Sequence, residues 1–191
     1  CDTTVEIAKD YKIRFLRSTG YKSNISVGRK IDHLILALKF YKQAGLTQKP
    51  DIILCSMPPV LLTFFAVRFA KKHGIPIVID LRDKWPDIFA DALPERFRFI
   101  ASPFLYPLKA ALAWACKNAT ALTGMTDKFV EWGCHYAGRE PGPKDVSFPF
   151  GYKAEPPPVK EQNEAFNFWK NLGIEKDPNV FTICYFGAIV N

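Results

Sequence analysis

The sequence lacks most of the short signatures that assign chemistry by themselves. It has no G-x-G-x-x-G and no G-x-x-x-x-G-K-[ST], so neither a dinucleotide turn nor a P-loop finds support. It has no G-x-S-x-G, and Ser56, followed by Met57-Pro58-Pro59, does not make a nucleophile elbow. There is no C-x-x-C. The five cysteines (Cys1, Cys55, Cys116, Cys134, Cys184) are odd in number and widely spaced, which suggests neither a disulfide framework nor a zinc site. Cys55 and Cys184 fall in apolar runs, where a reduced buried thiol is ordinary, so a reducing cytosol is expected. No apolar run approaches the roughly 20 residues that span a bilayer. The opening "CDTTVEIAKD" has no Met and no signal-peptide pattern, and reads as a chain already under way. His33, His73 and His135 are scattered and read as structural or exposed.

What is present suits a packed α/β protein. The 191 residues are 48% hydrophobic and 24% charged, enough apolar content for a real core and too little charge for a disordered chain. The net charge of +7 suits nucleic acid, an anionic membrane face or a phosphorylated ligand. The basic residues are dispersed and no aromatic RNA-binding signature occurs, which argues against nucleic acid.

Along the chain, "KIRFLRST" (12–19) alternates like a half-buried strand. After the loop "YKSNISVGRK", Ser26 is placed to cap a helix with an apolar face of Ile31, Leu34, Ile35, Leu38 and Tyr41 or Lys42. "DIILCS" (51–56) and "IPIVIDL" (75–81) are continuous apolar strands. Between them lies a helix opened by Pro58-Pro59 and closed by Lys71, Lys72 and Gly74. A long helix is expected over 95–117. "ATALTGM" (119–125) is expected to be a strand, "TDKFVEWG" a helix from Thr126 to a stop at Gly133, and "DVSFPF" (145–150) a last short strand. "KAEPPPVK" (153–160) reads as a linker, "EQNEAFNFWKNLGI" as a helix stopped by Gly173, and "NVFTICYFGAIVN" as a strand reaching Gly187. Strands alternating with helices imply a doubly wound parallel sheet, with ligands outside the strands' carboxyl ends.

One such end, "IVIDLRDKWPDIF" (77–89), carries Asp80, Arg82, Asp83 and Trp85. Two readings stay open for the charges: a local ion pair, or an Arg that binds phosphate beside a carboxylate that orients a sugar hydroxyl. Trp85 is either a lid on the core or a surface that stacks on a sugar ring. Arg96, Arg98 and Lys109 lie among Phe97, Phe99, Phe104, Leu105 and Tyr106. That mixture suits an interfacial membrane contact, and a core helix with a solvated edge is the competing reading. With Lys22, Arg29 and Lys30 upstream, these residues motivate an expected peripheral contact with anionic lipid.

"PDIILCSMPPVLLTFFAVRFAKKHGIPIVIDLRDKWPD" resembles the segment of family-4 glycosyltransferases that runs "PD-apolar strand-S-x-P-P", a helix, then "P-apolar strand-x-RDLWP-E". The likeness is to the amino-sugar and colanic-acid type enzymes of cell-surface polysaccharide assembly. "STGYKSNISVGRKIDHLILALKFY", "ATALTGMTDKFVEWG", "VSFPFGYKAEPP" and "VFTICYFGAIVN" are similar to further segments of these enzymes in the same order. Lys84 stands where Leu is usual, Asp87 where Glu is usual, and "FPFGY" lacks the Asn of "PNG".

The resemblance implies a GT-B fold of two Rossmann-like domains. Residues 1–152 would be the acceptor-side domain without its first strand, and 153–191 the linker and start of the donor-side domain. It implies a cytoplasmic enzyme, peripheral at the inner membrane face. Such an enzyme moves a sugar, with retention, from a nucleotide-sugar donor to a lipid-linked or polysaccharide acceptor. Arg82, Asp83, Trp85 and Thr123 would meet substrate, and Gly187 would approach the donor phosphates. No metal ligand is implied. The family's first strand and glycine-rich loop would precede residue 1, and its paired glutamates would follow residue 191, so this stretch alone is expected to be inactive. A non-catalytic GT-B-like subunit that needs a partner chain for donor binding stays open as the alternative.

Overall fold

The computed structural model describes residues 2–23, 26–91, 93–151, 155–174, 177, 179–181 and 183, without the side chains of 95 and 97–102. The chain divides into two compact units, Cys1–Phe150 and Gly151–Asn191. The first unit is a mixed α/β structure built on a four-stranded parallel sheet.

Its strands are β3 (Ile53–Met57), β4 (Ile77–Leu81), β5 (Ala121–Gly124) and β6 (Val146–Ser147), which lie side by side in chain order. All three pairings are parallel, as the alternation of apolar runs and helices predicts. The connections are α2 (Val60–His73), α3 (Asp87–Asp91), α4 (Glu95–Asn118) and α5 (Asp127–Ala137). Ile77, Ile79 and Leu81 of β4, with Cys55, Met57 and Leu122, point to one face and join Val67, Ala70, Leu112, Cys116, Val130 and Cys134 in the core. The period-2 alternation of a strand then sends Leu54, Ser56, Val78, Asp80 and Thr123 to the other face, where Leu54 is 70% exposed.

The helix ends follow the chemistry of their sequences. Ser26 Oγ accepts the Arg29 N–H at 3.2 Å and starts α1 (Val27–Ala44). Gly74 ends α2 at φ 67°, a left-handed conformation that costs a residue without Cβ least. Pro103 and Pro107 sit inside α4.

Several expectations are corrected. The strand read over 12–19 is shorter, β2 (Tyr11–Phe15). It pairs antiparallel with an unanticipated β1 (Thr3–Ala8) as a hairpin separate from the parallel sheet. Helix α1 turns the apolar residues Ile31, Leu34 and Leu38 to solvent. Of the expected face, Tyr41 does turn inward, against Phe65 and Phe69 of α2, and the inner face otherwise carries Asp32 and Ala37, with Phe40 against the core. Asp32 tolerates that position because Thr19 Oγ1 and the Gly20 N–H donate to its carboxylate at 3.0 and 2.6 Å.

Gly133 does not stop α5. It is buried inside the helix against Leu81 and Leu122, where only a missing Cβ allows so close an approach to the sheet. The stop is Gly138, at φ 69°. In the second unit, α6 (Val159–Asn171) starts inside the stretch read as linker, and Gly173 follows it at φ 78°. Most of the strand expected over 179–191, with Gly187, lies outside the described residues.

Candidate functional site

The carboxyl end of the parallel sheet carries one polar row. Backbone register sets Ser56 of β3, Asp80 of β4 and Thr123 of β5 side by side on the face opposite the core. The apolar alternation of each strand dictates this, since core positions flank all three residues. Ser56 Oγ donates to Asp80 Oδ2 at 3.2 Å, and Thr123 Oγ1 donates to Asp80 Oδ1 at 3.4 Å. Arg82 lies one residue past β4, where its N–H still extends the ladder to Met57 O at 3.0 Å. Its Nε donates to Asp80 Oδ2 at 2.7 Å. The Asp80 side chain is 19% exposed and that of Arg82 is 56% exposed, so the carboxylate is sheltered while the guanidinium faces outward. A cation held this way keeps donors for a second anion.

Asp83 faces a different task. Its Oδ1 accepts the Lys84 N–H at 2.8 Å and its Oδ2 accepts the Trp85 indole N–H at 2.9 Å. Asp83 therefore fixes the tryptophan, and Arg82 and Asp83 do not pair with each other.

Trp85 is half-buried among groups from two segments. Phe89 lies at 4.7 Å edge-to-face, and His33 of α1 lies at 5.9 Å. The Arg29 guanidinium sits 4.6 Å over the indole and 5.4 Å from the Tyr21 ring. Arg29 and His33 of α1, with Tyr21 beside them, are thus gathered at Trp85. Burial and then the nearby Arg29 charge lower the pKa of His33, with Asp32 opposing them. Hydrogen bonding, with Ser18 first, holds Asp32 below the ordinary carboxylate range.

Two further carboxylates fasten the elements that carry the row. Asp87, at the start of α3, accepts from Trp132 Nε1 and Tyr136 OH of α5, each at 2.8 Å, and pairs with Lys109 of α4 at 2.8 Å. Asp145 accepts the Leu122 N–H at 2.8 Å and the Gly142 N–H at 2.7 Å, and Arg139 pairs with it. Among the described residues, no group of three or more His, Cys, Asp or Glu is placed to hold a metal ion.

Of the residues expected to meet substrate, Arg82 and Thr123 meet at Asp80, while Asp83 and Trp85 are bound to each other. Asp80 was among the candidate charges at the end of β4, but its place as the hub was not foreseen, nor were Ser56 as its partner and the approach of Tyr21, Arg29 and His33 to Trp85. The signal for the first two lies in the strand period: both interrupt apolar runs one residue before the run ends. No family model, curated protein or solved structure matches this chain.

Proposed function

We propose that the first unit is the acceptor-side, Rossmann-like domain of a GT-B glycosyltransferase that uses a nucleotide-sugar donor and a lipid-linked or polysaccharide acceptor. The observation that carries this reading is the Ser56–Asp80–Thr123 row with Arg82 at the carboxyl end of a parallel sheet, the edge at which open α/β sheets receive ligands. The resemblance of "SMPP", "RDKWP" and "LTGM", in that order, to the family-4 enzymes supports it from the sequence.

In this reading Arg82 supplies fixed positive charge beside the phosphate of the donor or acceptor, and Asp80 holds it there. A preorganised cation of this kind stabilises charge developing on a leaving phosphate without reorganising during the reaction. Thr123 and Ser56 set hydroxyls beside Asp80 on the same sheet face. Asp83 keeps Trp85 in place just past the end of β4. Donor-binding groups belong to a second domain.

The test is release of nucleoside diphosphate by the whole protein, given a panel of nucleotide-sugars and a bacterial lipid extract. Release that depends on both donor and extract is the expected result. No release with any donor contradicts the reading.

A further inference from the structure

We propose that Tyr21, Arg29, His33 and Trp85 form a pH-sensitive latch, which holds the start of α1 to the segment after β4 while His33 is neutral and releases it when His33 takes a proton. Arg29 and His33 stand one turn apart on the same face of α1. Both reach Trp85: the guanidinium lies 4.6 Å over the indole and the imidazole 5.9 Å from it. Tyr21 closes the cluster from the loop before the helix, with its ring edge-on to His33 at 6.3 Å and the Arg29 guanidinium 5.4 Å from its centre.

The latch joins two anchored pieces. On one side, Asp83 accepts the Trp85 indole N–H at 2.9 Å and Phe89 packs on the ring at 4.7 Å. On the other, Ser18 Oγ donates to the main-chain oxygen of Asp32 at 3.1 Å, and Thr19 and Gly20 donate to its carboxylate. The loop over 18–20 therefore moves with the first turns of α1, and His33 lies where those turns meet Trp85.

Charge decides which form of His33 the latch accepts. Its own helix brings Arg29 and Asp32 beside it. On the facing segment Asp83 is engaged by Trp85 and the Lys84 N–H, Arg82 by Asp80, and Lys84 Nζ stands 5.7 Å from the Phe129 ring of α5. A proton on His33 places a second cation at i+4 from Arg29, where like charges repel, and between rings that hydrate it poorly. The opposing carboxylate, Asp32, already accepts from Thr19 and Gly20. Burial first and Arg29 second accordingly lower the pKa of His33 against the pull of Asp32. A base whose pKa is lower in the latched state favours that state fully above its ordinary value of about 6.5. The contribution is lost as pH falls from there toward the latched value. Asp32, held below the ordinary carboxylate range, stays charged over this window.

Trp85 lies three residues past Arg82, so an opened latch changes the border of the Arg82 edge. That consequence rests on the reading of this edge as a ligand site. The latch itself does not, and its test reads opening alone, so the two can fail separately.

The experiment is nuclear magnetic resonance of the chain from about pH 8 to about pH 5, the range over which histidine changes charge. It follows the His33 ring protons together with the exchange protection of the Trp85 indole N–H and the Gly20 N–H, corrected for the intrinsic pH dependence of exchange. His33 is expected to titrate below about 6.5, and both N–H groups to lose protection along the same curve while the Leu122 amide in the core keeps its own. In His33→Gln the protection of both groups is expected to stay flat with pH. In Arg29→Gln the titration of His33 is expected to move back toward its ordinary value. His73 and His135 lie on α2 and α5, and their titration continues in both variants. The Leu122 amide identifies a variant that fails to fold, in which case the curve of the unmodified chain decides. Titration of His33 at or above its ordinary value, protection that stays constant while His33 titrates, or a pH-dependent loss that persists in folded His33→Gln overturns the proposal.

Discussion

The carboxylate of Asp83 accepts the indole N–H of Trp85 at 2.9 Å while its other oxygen accepts the backbone N–H of Lys84 at 2.8 Å. The segment after β4 is therefore locked by its own side chain, and Trp85 is held between Arg29 and Phe89.

Breaking that lock should loosen Trp85. Asp83→Ala removes a charged acceptor from a half-buried N–H, which costs about 1–3 kcal/mol. Urea unfolding is expected to show the loss, and tryptophan emission of the folded variant to shift to the red. Unchanged stability and emission would mean that packing alone holds the ring.

Gly124 ends β5 where a Cβ would lie 2.7 Å from Phe129 Cβ and 3.3 Å from the Leu81 carbonyl oxygen. Neither atom is the free end of a flexible side chain. Gly124→Ala is expected to destabilise the chain by about 1–3 kcal/mol, the usual cost of overpacking, as read by thermal or urea unfolding.

Much of this architecture was legible in the sequence. "DIILCS", "IPIVIDL" and "ATALTGM" are apolar runs whose alternate residues enter the core, and their crossings require helices, so parallel pairing followed. Helix α1 was misread because apolar spacing was equated with burial. The helix buries Asp32 instead, and the groups that satisfy it, Thr19 and Gly20, lie more than ten residues away, where no periodicity registers them. Gly133 was misread for a related reason. A glycine that stops a helix and a glycine that lets a helix approach a sheet look alike until the facing residues, Leu81 and Leu122, are known. At the site, Arg82 and Thr123 were legible by position. The hub Asp80 needed the register of three strands.

Asp145 gives the fold a pH dependence. Its hydrogen bonds with Arg139 first, and with the Leu122 and Gly142 amides, hold its carboxyl well below the ordinary range. A lowered folded pKa stabilises the fold above the unfolded value of about 3.9, and the contribution is lost as pH falls from there through the folded pKa. Asp145→Asn is expected to lose about 1–3 kcal/mol near neutral pH, and the gap between the two chains to narrow below about pH 4. A gap that stays constant with pH would remove this carboxylate from the acid response.

Cys55, Cys116 and Cys134 are buried free thiols. Burial pushes the Cys116 thiol up to about 12, so almost none of it is thiolate at ordinary pH. A thiol reagent at pH 8 is expected to leave Cys116 unmodified in the folded chain and to modify it in denaturant, as read by peptide mapping. Rapid modification of the folded chain would contradict the packing of α4 against α5.

The claim that the Asp80 row is the working edge of the protein meets its most direct test in Arg82→Ala. The Arg82–Asp80 pair is exposed on the arginine side, so its loss is expected to change stability by less than about 1 kcal/mol. Loss of a charge-assisted contact to phosphate is expected to lower sugar transfer by the whole protein at least about tenfold, the equivalent of about 1.4 kcal/mol. The measurement is transfer of radiolabelled sugar from the nucleotide donor by unmodified and Arg82→Ala proteins of matched thermal stability. A fall of tenfold or more is the predicted result. Full transfer by the folded variant would contradict the account and assign the pair to structure alone.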